Sequence, residues 1–180
     1  SIARRQRQMC IRDSLKGFSL GKKLWETIWE AGKDFNISPG CPNLIDRIEG
    51  GLLSYGNEFT LENNPIECGF VNYCNNLSHN FIGKNALKKI LKNGIEKKIK
   101  GITFDGSPTP PCTIPFPVYS KNRFQIGNIT SGIYSPFLKT NIGLSMVDRD
   151  YWNDGQDVIV LTPDNIERKG KVCSLPFNYS

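Results

Sequence analysis

The sequence has few of the residues from which catalytic and metal sites are commonly built. Its 180 residues include a single histidine, His79, and six cysteines that form no CxxC pair. A zinc site would need thiolates from scattered positions, so we expect buried free thiols in a reducing cytoplasm and no bound metal. His79 stands in a polar loop, where we expect a surface histidine rather than a general base.

Long apolar runs and phosphate-binding loops are also missing. No stretch approaches the roughly 20 apolar residues that cross a bilayer, and the basic N-terminus lacks the apolar stretch of a secretory signal. There is no Walker, GxGxxG or GxSxG motif. Residues 127–132 (GNITSG) have no helix after them, so we predict a strand and turn there. We therefore expect a cytoplasmic globular protein without a local catalytic signature.

The positive charge is concentrated at the N-terminus. Residues 1–14 contain four arginines and one aspartate, which gives them half of the net charge of +6. Residues 8–14 (QMCIRDS) resemble one reading frame of a transposon-end sequencing adapter, so we expect residues 1–14 to be a non-native, disordered tail. The alternative is a natural basic arm. Without the tail no aromatic–basic stripe remains, so we expect neither nucleic acid nor membrane as a partner.

Two amphipathic helices are predicted near the start of the native-looking sequence. Leu20 to Lys33 has apolar residues at three-to-four spacing, with Trp25 and Trp29 four positions apart. We expect this pair to pack in the core rather than form an aromatic wall for a flat ligand. A second helix follows the turn at residues 39–42, carries an apolar face from Leu44, and ends at a pair of glycines.

The second half of the chain has the pattern of a β domain. A strand-like run from Ile66 to Tyr73 and a third helix from about Asn85 to Lys92 precede it. Six short strand candidates then follow at regular spacing, separated by turn residues. They are Ile99–Phe104, Pro117–Tyr119, Gln125–Ser131, Gly143–Val147, Val158–Thr162 and Glu167–Cys173. This pattern is typical of a small antiparallel barrel or sandwich, and it predicts a domain boundary near residue 97.

Four segments together resemble the aminomethyltransferase family, to which the glycine-cleavage T-protein belongs. They are residues 47–58 (RIEGGLLSYGNE), 64–70 (NPIECGF), 81–87 (FIGKNAL) and 127–136 (GNITSGIYSP). They occur in the family's order and with sensible spacing over nearly all of residues 20–180. Residues 39–45 (PGCPNLI) and 172–177 (VCSLPF) are more similar to the family's dimethylsulfoniopropionate demethylase branch.

The resemblance implies an α+β fold with two native parts. Residues 15–97 would be the C-terminal part of a folate-binding region, and residues 98–180 a small antiparallel β-barrel. It also implies a tetrahydrofolate-dependent methyltransferase of one-carbon metabolism, which moves a methyl group from the sulfonium dimethylsulfoniopropionate to tetrahydrofolate by positioning the two. The family's N-terminal half, with its catalytic aspartate, is absent from this sequence. No catalytic residue is assigned here, and we expect the fragment to be inactive alone.

The cofactor site is predicted around one arginine. From the residues alone, Asp46, Arg47 and Glu49 form either a polar ligand site or a solvated charge cluster. The resemblance assigns Arg47 to folate binding, supported by Glu49 and Tyr55, and Tyr179 lies where the T-protein has a ligand-site tyrosine. An arginine offers a planar donor fork suited to a carboxylate or to the polar edge of a heterocycle.

Two alternatives to this function stay open. One is a fragment of a glycine-cleavage T-protein, which would take a small aminomethyl donor presented by a lipoyl carrier protein. The other is a non-catalytic folate-binding relative.

Overall fold

The computed structural model describes residues 17–38, 43–74 and 79–177. The predicted tail, the predicted turn at residues 39–42 and Tyr179 lie outside these ranges. The chain divides into two compact units between residues 41 and 42. Within the described ranges no helix is long and apolar enough to span a lipid bilayer.

The first unit contains the predicted first helix. Helix α1 runs over Gly21–Gly32, with single 3-10 turns at Phe18–Leu20 before it and Lys33–Phe35 after it. The prediction that Trp25 and Trp29 pack in a core is wrong. Their rings stack on each other with centroids 6.1 Å apart, and they stay 56% and 40% exposed. No second apolar layer covers this face within residues 17–38, where Gly32 is the one buried residue among those whose burial is described.

The second unit begins with three short helices. Helix α2 runs over Leu44–Glu49, α3 over Val71–Cys74 and α4 over Lys84–Asn93, so the predicted second and third helices are present. The Asn43 side chain caps α2 by accepting a hydrogen bond from the Asp46 N–H at 2.8 Å, which satisfies a donor with no partner inside the helix. Gly51 follows the helix with a φ of 64°, which favours glycine.

The predicted strand from Ile66 to Tyr73 is wrong. Residues 65–69 form turns, and helix α3 follows. The Asn64 side chain accepts hydrogen bonds from the N–H groups of Ile66 and Glu67, both at 3.0 Å. Such local side-chain-to-backbone bonds favour a turn over an extended strand.

Six antiparallel strands close into a barrel in the order β1-β4-β3-β2-β5-β6. They are β1 Lys97–Phe104, β2 Phe116–Tyr119, β3 Gln125–Ser135, β4 Thr140–Asp148, β5 Asp157–Leu161 and β6 Glu167–Cys173. Each contains or overlaps a predicted strand, so the α+β class with a small antiparallel barrel is confirmed. The domain limits near residues 14 and 97 stay predictions.

Apolar side chains form two buried clusters in the second unit. Ten residues, among them Ile102, Phe116 and Val160, form the larger cluster from all the strands of the barrel. The smaller one joins Ile48 of α2 to strand residues such as Leu144. Ile48 is fully buried, so α2 is fixed to the barrel by apolar packing. This packing places the polar residues beside Ile48 against strand β3.

The predicted surface position of the histidine is confirmed, and the predicted burial of the free cysteines is confirmed only in part. Cys68, Cys74, Cys112 and Cys173 are free thiols, but only Cys68 is fully buried, and Cys10 and Cys41 lie outside the described residues. His79 is exposed. Among the described residues no group of histidine, cysteine or carboxylate side chains is arranged to hold a metal ion.

Candidate functional site

Arg47 lies at the contact between α2 and the barrel. One terminal nitrogen, Nη1, donates to the Leu52 carbonyl at 2.8 Å and to Glu58 Oε2 at 3.0 Å. The other, Nη2, donates to the Ser131 hydroxyl on β3 at 2.5 Å. The side chain is 23% exposed. Arg47 therefore links three parts of the unit, and its surroundings are more enclosed than a solvated charge cluster would be.

Glu58 is the centre of this arrangement, and the sequence did not identify it as a site residue. Its side chain is fully buried. Oε2 accepts from the Ser54 N–H at 2.7 Å as well as from Arg47, and Oε1 accepts from the Thr130 hydroxyl at 3.3 Å. A buried carboxylate with a cation and two further donors is well compensated, so it can hold the guanidinium in one orientation.

Strand β3 contributes to the site through an irregularity in its pairing with β4. Ile129 pairs with Ser145 and Ser131 with Leu144, so Thr130 is the extra residue of a β-bulge. A bulge changes the direction of neighbouring side chains. Here the hydroxyls of Thr130 and Ser131 both meet the Arg47–Glu58 pair. The GNITSG segment thus has a structural role in this site, and no phosphate-loop geometry is involved.

Close packing behind the bulge depends on two paired glycines. Gly132 on β3 pairs with Gly143 on β4. A Cβ on Gly143 would lie 2.5 Å from the Ile129 side chain, and one on Gly132 would lie 3.0 Å from it. Both glycines therefore make room for the fully buried Ile129, the residue just before the bulge.

Glu49 lies one residue past Ile48 and makes a separate buried contact with the barrel. Its side-chain oxygen Oε1 accepts from the Ser135 hydroxyl at 2.5 Å, and its backbone carbonyl accepts from the Phe177 N–H at 3.0 Å. Glu49 is 5% exposed. These contacts attach the end of α2 to β3 and to the C-terminal segment, so Glu49 supports the site from inside.

The predicted Tyr55 is not brought together with Arg47 and Glu49. Tyr55 is 62% exposed and makes an edge contact with Phe59 at a centroid distance of 5.6 Å. Tyr179 lies outside the described residues. Of the four predicted cofactor residues, Arg47 and Glu49 therefore lie on α2 and contact the barrel, whereas Tyr55 lies in an exposed loop.

The Cys112 thiol is influenced by the charge of Glu58. Burial raises its pKa, and the negative charge of Glu58 adds to that shift, although hydrogen bonds from the Phe116 and Gly132 backbone oppose it. The thiol donates to the Ile114 carbonyl at 2.9 Å. At neutral pH this group is therefore a protonated hydrogen-bond donor, and the thiolate needed for attack is scarce.

Comparison with known proteins is consistent with this architecture. Residues 97–178 match the glycine cleavage T-protein C-terminal barrel domain. The chain is 42% identical over 152 residues to the dimethylsulfoniopropionate demethylase DmdA of Ruegeria pomeroyi, which covers 84% of this chain and 41% of that protein. It is 38% identical over 140 residues to an aminomethyltransferase of Caldanaerobacter subterraneus subsp. tengcongensis, covering 77% of this chain and 37% of that protein.

A solved structure agrees at the level of the fold. The crystal structure of the glycine cleavage system aminomethyltransferase T from Bartonella henselae superposes with a TM-score of 0.62 at 23% identity. The match covers 73% of this chain and 37% of that one. The chain thus spans about two fifths of the length of the relatives it matches.

Proposed function

This chain belongs to the glycine cleavage T-protein family through its C-terminal barrel, and we propose that it is part of a tetrahydrofolate-dependent methyltransferase acting on dimethylsulfoniopropionate. The observation that carries the proposal is the Arg47–Glu58–Ser131 arrangement. Arg47 and Glu58 lie in the segment that resembles the family's folate-site motif, and Ser131 supports Arg47 from strand β3 of the barrel. The 42% identity to a dimethylsulfoniopropionate demethylase favours the sulfonium donor.

The remaining donors of Arg47 fit a folate. A guanidinium has five N–H donors, and three of them are used by Leu52, Glu58 and Ser131. No described residue accepts the other two, and the side chain keeps 23% exposure. Two further donors on a planar, partly exposed guanidinium suit the carbonyl and ring nitrogens of a pterin or the carboxylates of its glutamate.

The role of Arg47 would be to orient the cofactor. Bound tetrahydrofolate would supply the nucleophilic nitrogen that takes the methyl carbon as the carbon–sulfur bond breaks, the neutral sulfide leaves, and the nitrogen releases its proton. Because a sulfonium carbon is already electrophilic, the protein needs alignment and exclusion of water more than acid–base groups. A cationic side chain whose position is fixed by buried Glu58 meets that need without touching the methyl group.

The proposal extends to location and partners. We propose a cytoplasmic protein whose partner is a small-molecule sulfonium, with no nucleic acid and no membrane surface involved. The similarity to aminomethyltransferases keeps one alternative open, in which the donor is an aminomethyl group on a lipoyl carrier protein.

Calorimetric titration of the chain with tetrahydrofolate, under reducing anaerobic conditions, tests the cofactor. We expect saturable binding that is lost in Arg47→Ala and weakened in Arg47→Lys, which keeps the charge near Glu58 but removes the planar fork. Glu62→Gln, which alters an exposed carboxylate outside the site, is the matched control and should bind normally. Equal tetrahydrofolate binding by Arg47→Ala and the unaltered chain would sink the proposal.

The donor is tested by exchange of homologous parts. The chain replaces the matching segment of the Ruegeria demethylase and, separately, of the Caldanaerobacter aminomethyltransferase. We expect the first chimera to release 3-(methylthio)propionate from dimethylsulfoniopropionate, and the second to fail in glycine cleavage. The reverse pattern would establish the aminomethyl alternative. In the active chimera, Arg47→Ala should weaken tetrahydrofolate binding more than sulfonium binding, and an equal loss of both would contradict the assignment of Arg47.

A further inference from the structure

A second concave region lies beside the end of α2, away from the predicted folate residues. It is a cavity of about 550 Å³ lined by residues 50, 51, 53, 66, 68–71 and 73, by Ile95 and the start of β1, and by residues 174–176. Small-molecule sites are typically about 300–1,000 Å³, mostly apolar and provided with a few polar groups. Arg47, Glu49 and Tyr55 do not line it. The cavity has the dimensions of a ligand site and is distinct from the one proposed above.

The walls of the cavity are mainly apolar and partly aromatic. Leu53, Ile66, Phe70, Tyr73, Leu175 and Pro176 contribute to them. The rings of Phe70 and Tyr73 meet edge to face at a centroid distance of 6.3 Å, and both rings keep solvent-exposed surface. Exposed aromatic rings beside aliphatic side chains bind flat apolar bodies well, because stacking and edge contacts add to the hydrophobic effect.

Two glycines with positive φ leave part of the wall as bare backbone. Gly51 has a φ of 64° and Gly69 a φ of 79°. A Cβ on Gly51 would lie 3.1 Å from the Leu175 side chain, and one on Gly69 would lie 3.4 Å from the Ile99 side chain. A side chain at Gly51 would therefore crowd the lining of the cavity, whereas one at Gly69 would reach ordinary contact with Ile99 but would strain the backbone.

One end of the cavity carries positive charge. Lys98 and Lys100 are two positions apart on β1, so both side chains point to the same face of the strand. Lys100 is 8% exposed, and its Nζ contacts Asp154 at 2.5 Å and Ser174 at 3.3 Å. Lys98 is exposed and makes no ion pair or hydrogen bond with the described residues. Asp154 pairs with Lys100, and the charge of Lys98 also lowers the pKa of Asp154, so two lysines share one carboxylate and a net positive charge remains for an anion.

We propose that this cavity binds a small aryl carboxylate, with the aromatic body between Phe70 and Leu175 and the carboxylate at Lys98. A neutral ligand would gain the apolar contacts but leave the charge of Lys98 unused. A cationic ligand would be repelled by the net positive charge of this end. The proposal does not depend on the cofactor, because its residues are separate from Arg47 and its partners.

Amide chemical shifts of the labelled chain, titrated with 4-phenylbutyrate, give the test. We expect saturable shifts at lining amides such as Gly51, Gly69 and Ser174. The neutral analogue 4-phenylbutan-1-ol should bind about three- to fivefold more weakly, as the loss of a partly exposed ion pair predicts. Lys98→Gln should weaken binding of the carboxylate to the level of the alcohol. Lys88→Gln, the same change at an exposed lysine of α4 outside the cavity, should leave binding unchanged.

Each outcome of this experiment decides the proposal. Unshifted lining amides at millimolar carboxylate, or equal binding by Lys98→Gln and the unaltered chain, would overturn it. Thermal unfolding of both lysine variants verifies that they fold. Competition with 4-aminobenzoyl-glutamate, the aryl carboxylate of folates, identifies which kind of aryl carboxylate the cavity binds. Displacement supports the cavity as a site for a folate's tail, and absence of displacement supports it as a site for a separate aryl carboxylate.

Discussion

The Arg47–Glu58 ion pair allows a quantitative test of how the helical segment is attached to the barrel. Glu58→Ala would remove a fully buried carboxylate and leave Arg47 with the Leu52 carbonyl and the Ser131 hydroxyl as partners. The Ser54 N–H would also lose its acceptor. Removing one partner of a buried ion pair costs about 3–5 kcal/mol. Because Arg47 keeps some contact with water, we expect a loss of about 3 kcal/mol in the free energy of unfolding.

Glu58→Gln removes the negative charge of the side chain and keeps its shape. The amide oxygen can still accept from Arg47 and Ser54, and the amide nitrogen can donate to the Thr130 hydroxyl. Hydrogen bonds to charged groups stabilise by about 1.5–3 kcal/mol and neutral ones by about 0.5–1.5 kcal/mol. We therefore expect Glu58→Gln to cost about 1–2 kcal/mol, clearly less than the alanine variant.

Urea unfolding followed by circular dichroism measures both losses. Glu62→Ala, at an exposed carboxylate four residues away, is the control and should change stability by less than about 0.5 kcal/mol. A double-mutant cycle with Arg47→Met should give a coupling energy within the range of about 0.5–3 kcal/mol found for residues in contact. A cost below about 1 kcal/mol for Glu58→Ala, or a coupling near zero, would refute the view that this pair joins α2 to the barrel.

Two further predictions concern protonation. The hydrogen bonds and charges of Lys121 and Lys171 lower the pKa of Asp157 to about 2, below its value in the unfolded chain. Its contribution to stability should therefore be present above about pH 4 and disappear as the pH falls through 2. The free energies of unfolding of the chain and of Asp157→Asn, measured as a function of pH, should converge there. A difference that persists below pH 2 would contradict this. Burial raises the pKa of the Cys173 thiol to about 11, with a smaller contribution from Asp154. At pH 8 iodoacetamide should therefore label Cys173 far more slowly in the folded chain than in urea, which peptide mapping would measure. Equal labelling rates would disprove this prediction.

Much of the fold could be predicted because the barrel strands follow local rules. Strand β6 alternates between buried and exposed positions from Glu167 to Cys173, and its predicted limits are those observed. The strand prediction for residues 66–73 was wrong for a local reason that composition does not reveal. The Asn64 side chain satisfies two backbone donors and bends the chain before a strand can form.

The site was only partly predictable, because its geometry is not local. Arg47 was found through the family resemblance, whereas its chemistry alone favoured a solvated charge cluster. Glu58 lies 11 residues along the chain from Arg47 and 72 from Thr130, so its role depends on a bulge that brings distant segments together. The alternation of apolar residues in β3 gave no sign of that bulge.

The burial of Glu58 bears on how a site without a conspicuous catalytic residue could serve methyl transfer. On the proposed function, the reacting carbon needs alignment more than acid–base chemistry, so the useful property of Arg47 is a fixed orientation. A surface arginine would sample many rotamers and lose entropy on binding a ligand. Contacts with Glu58, Ser131 and Leu52 remove that freedom during folding, so less of it is lost on binding. The buried carboxylate would then contribute to affinity for the cofactor without contacting it, in the way that supporting residues position the groups that do.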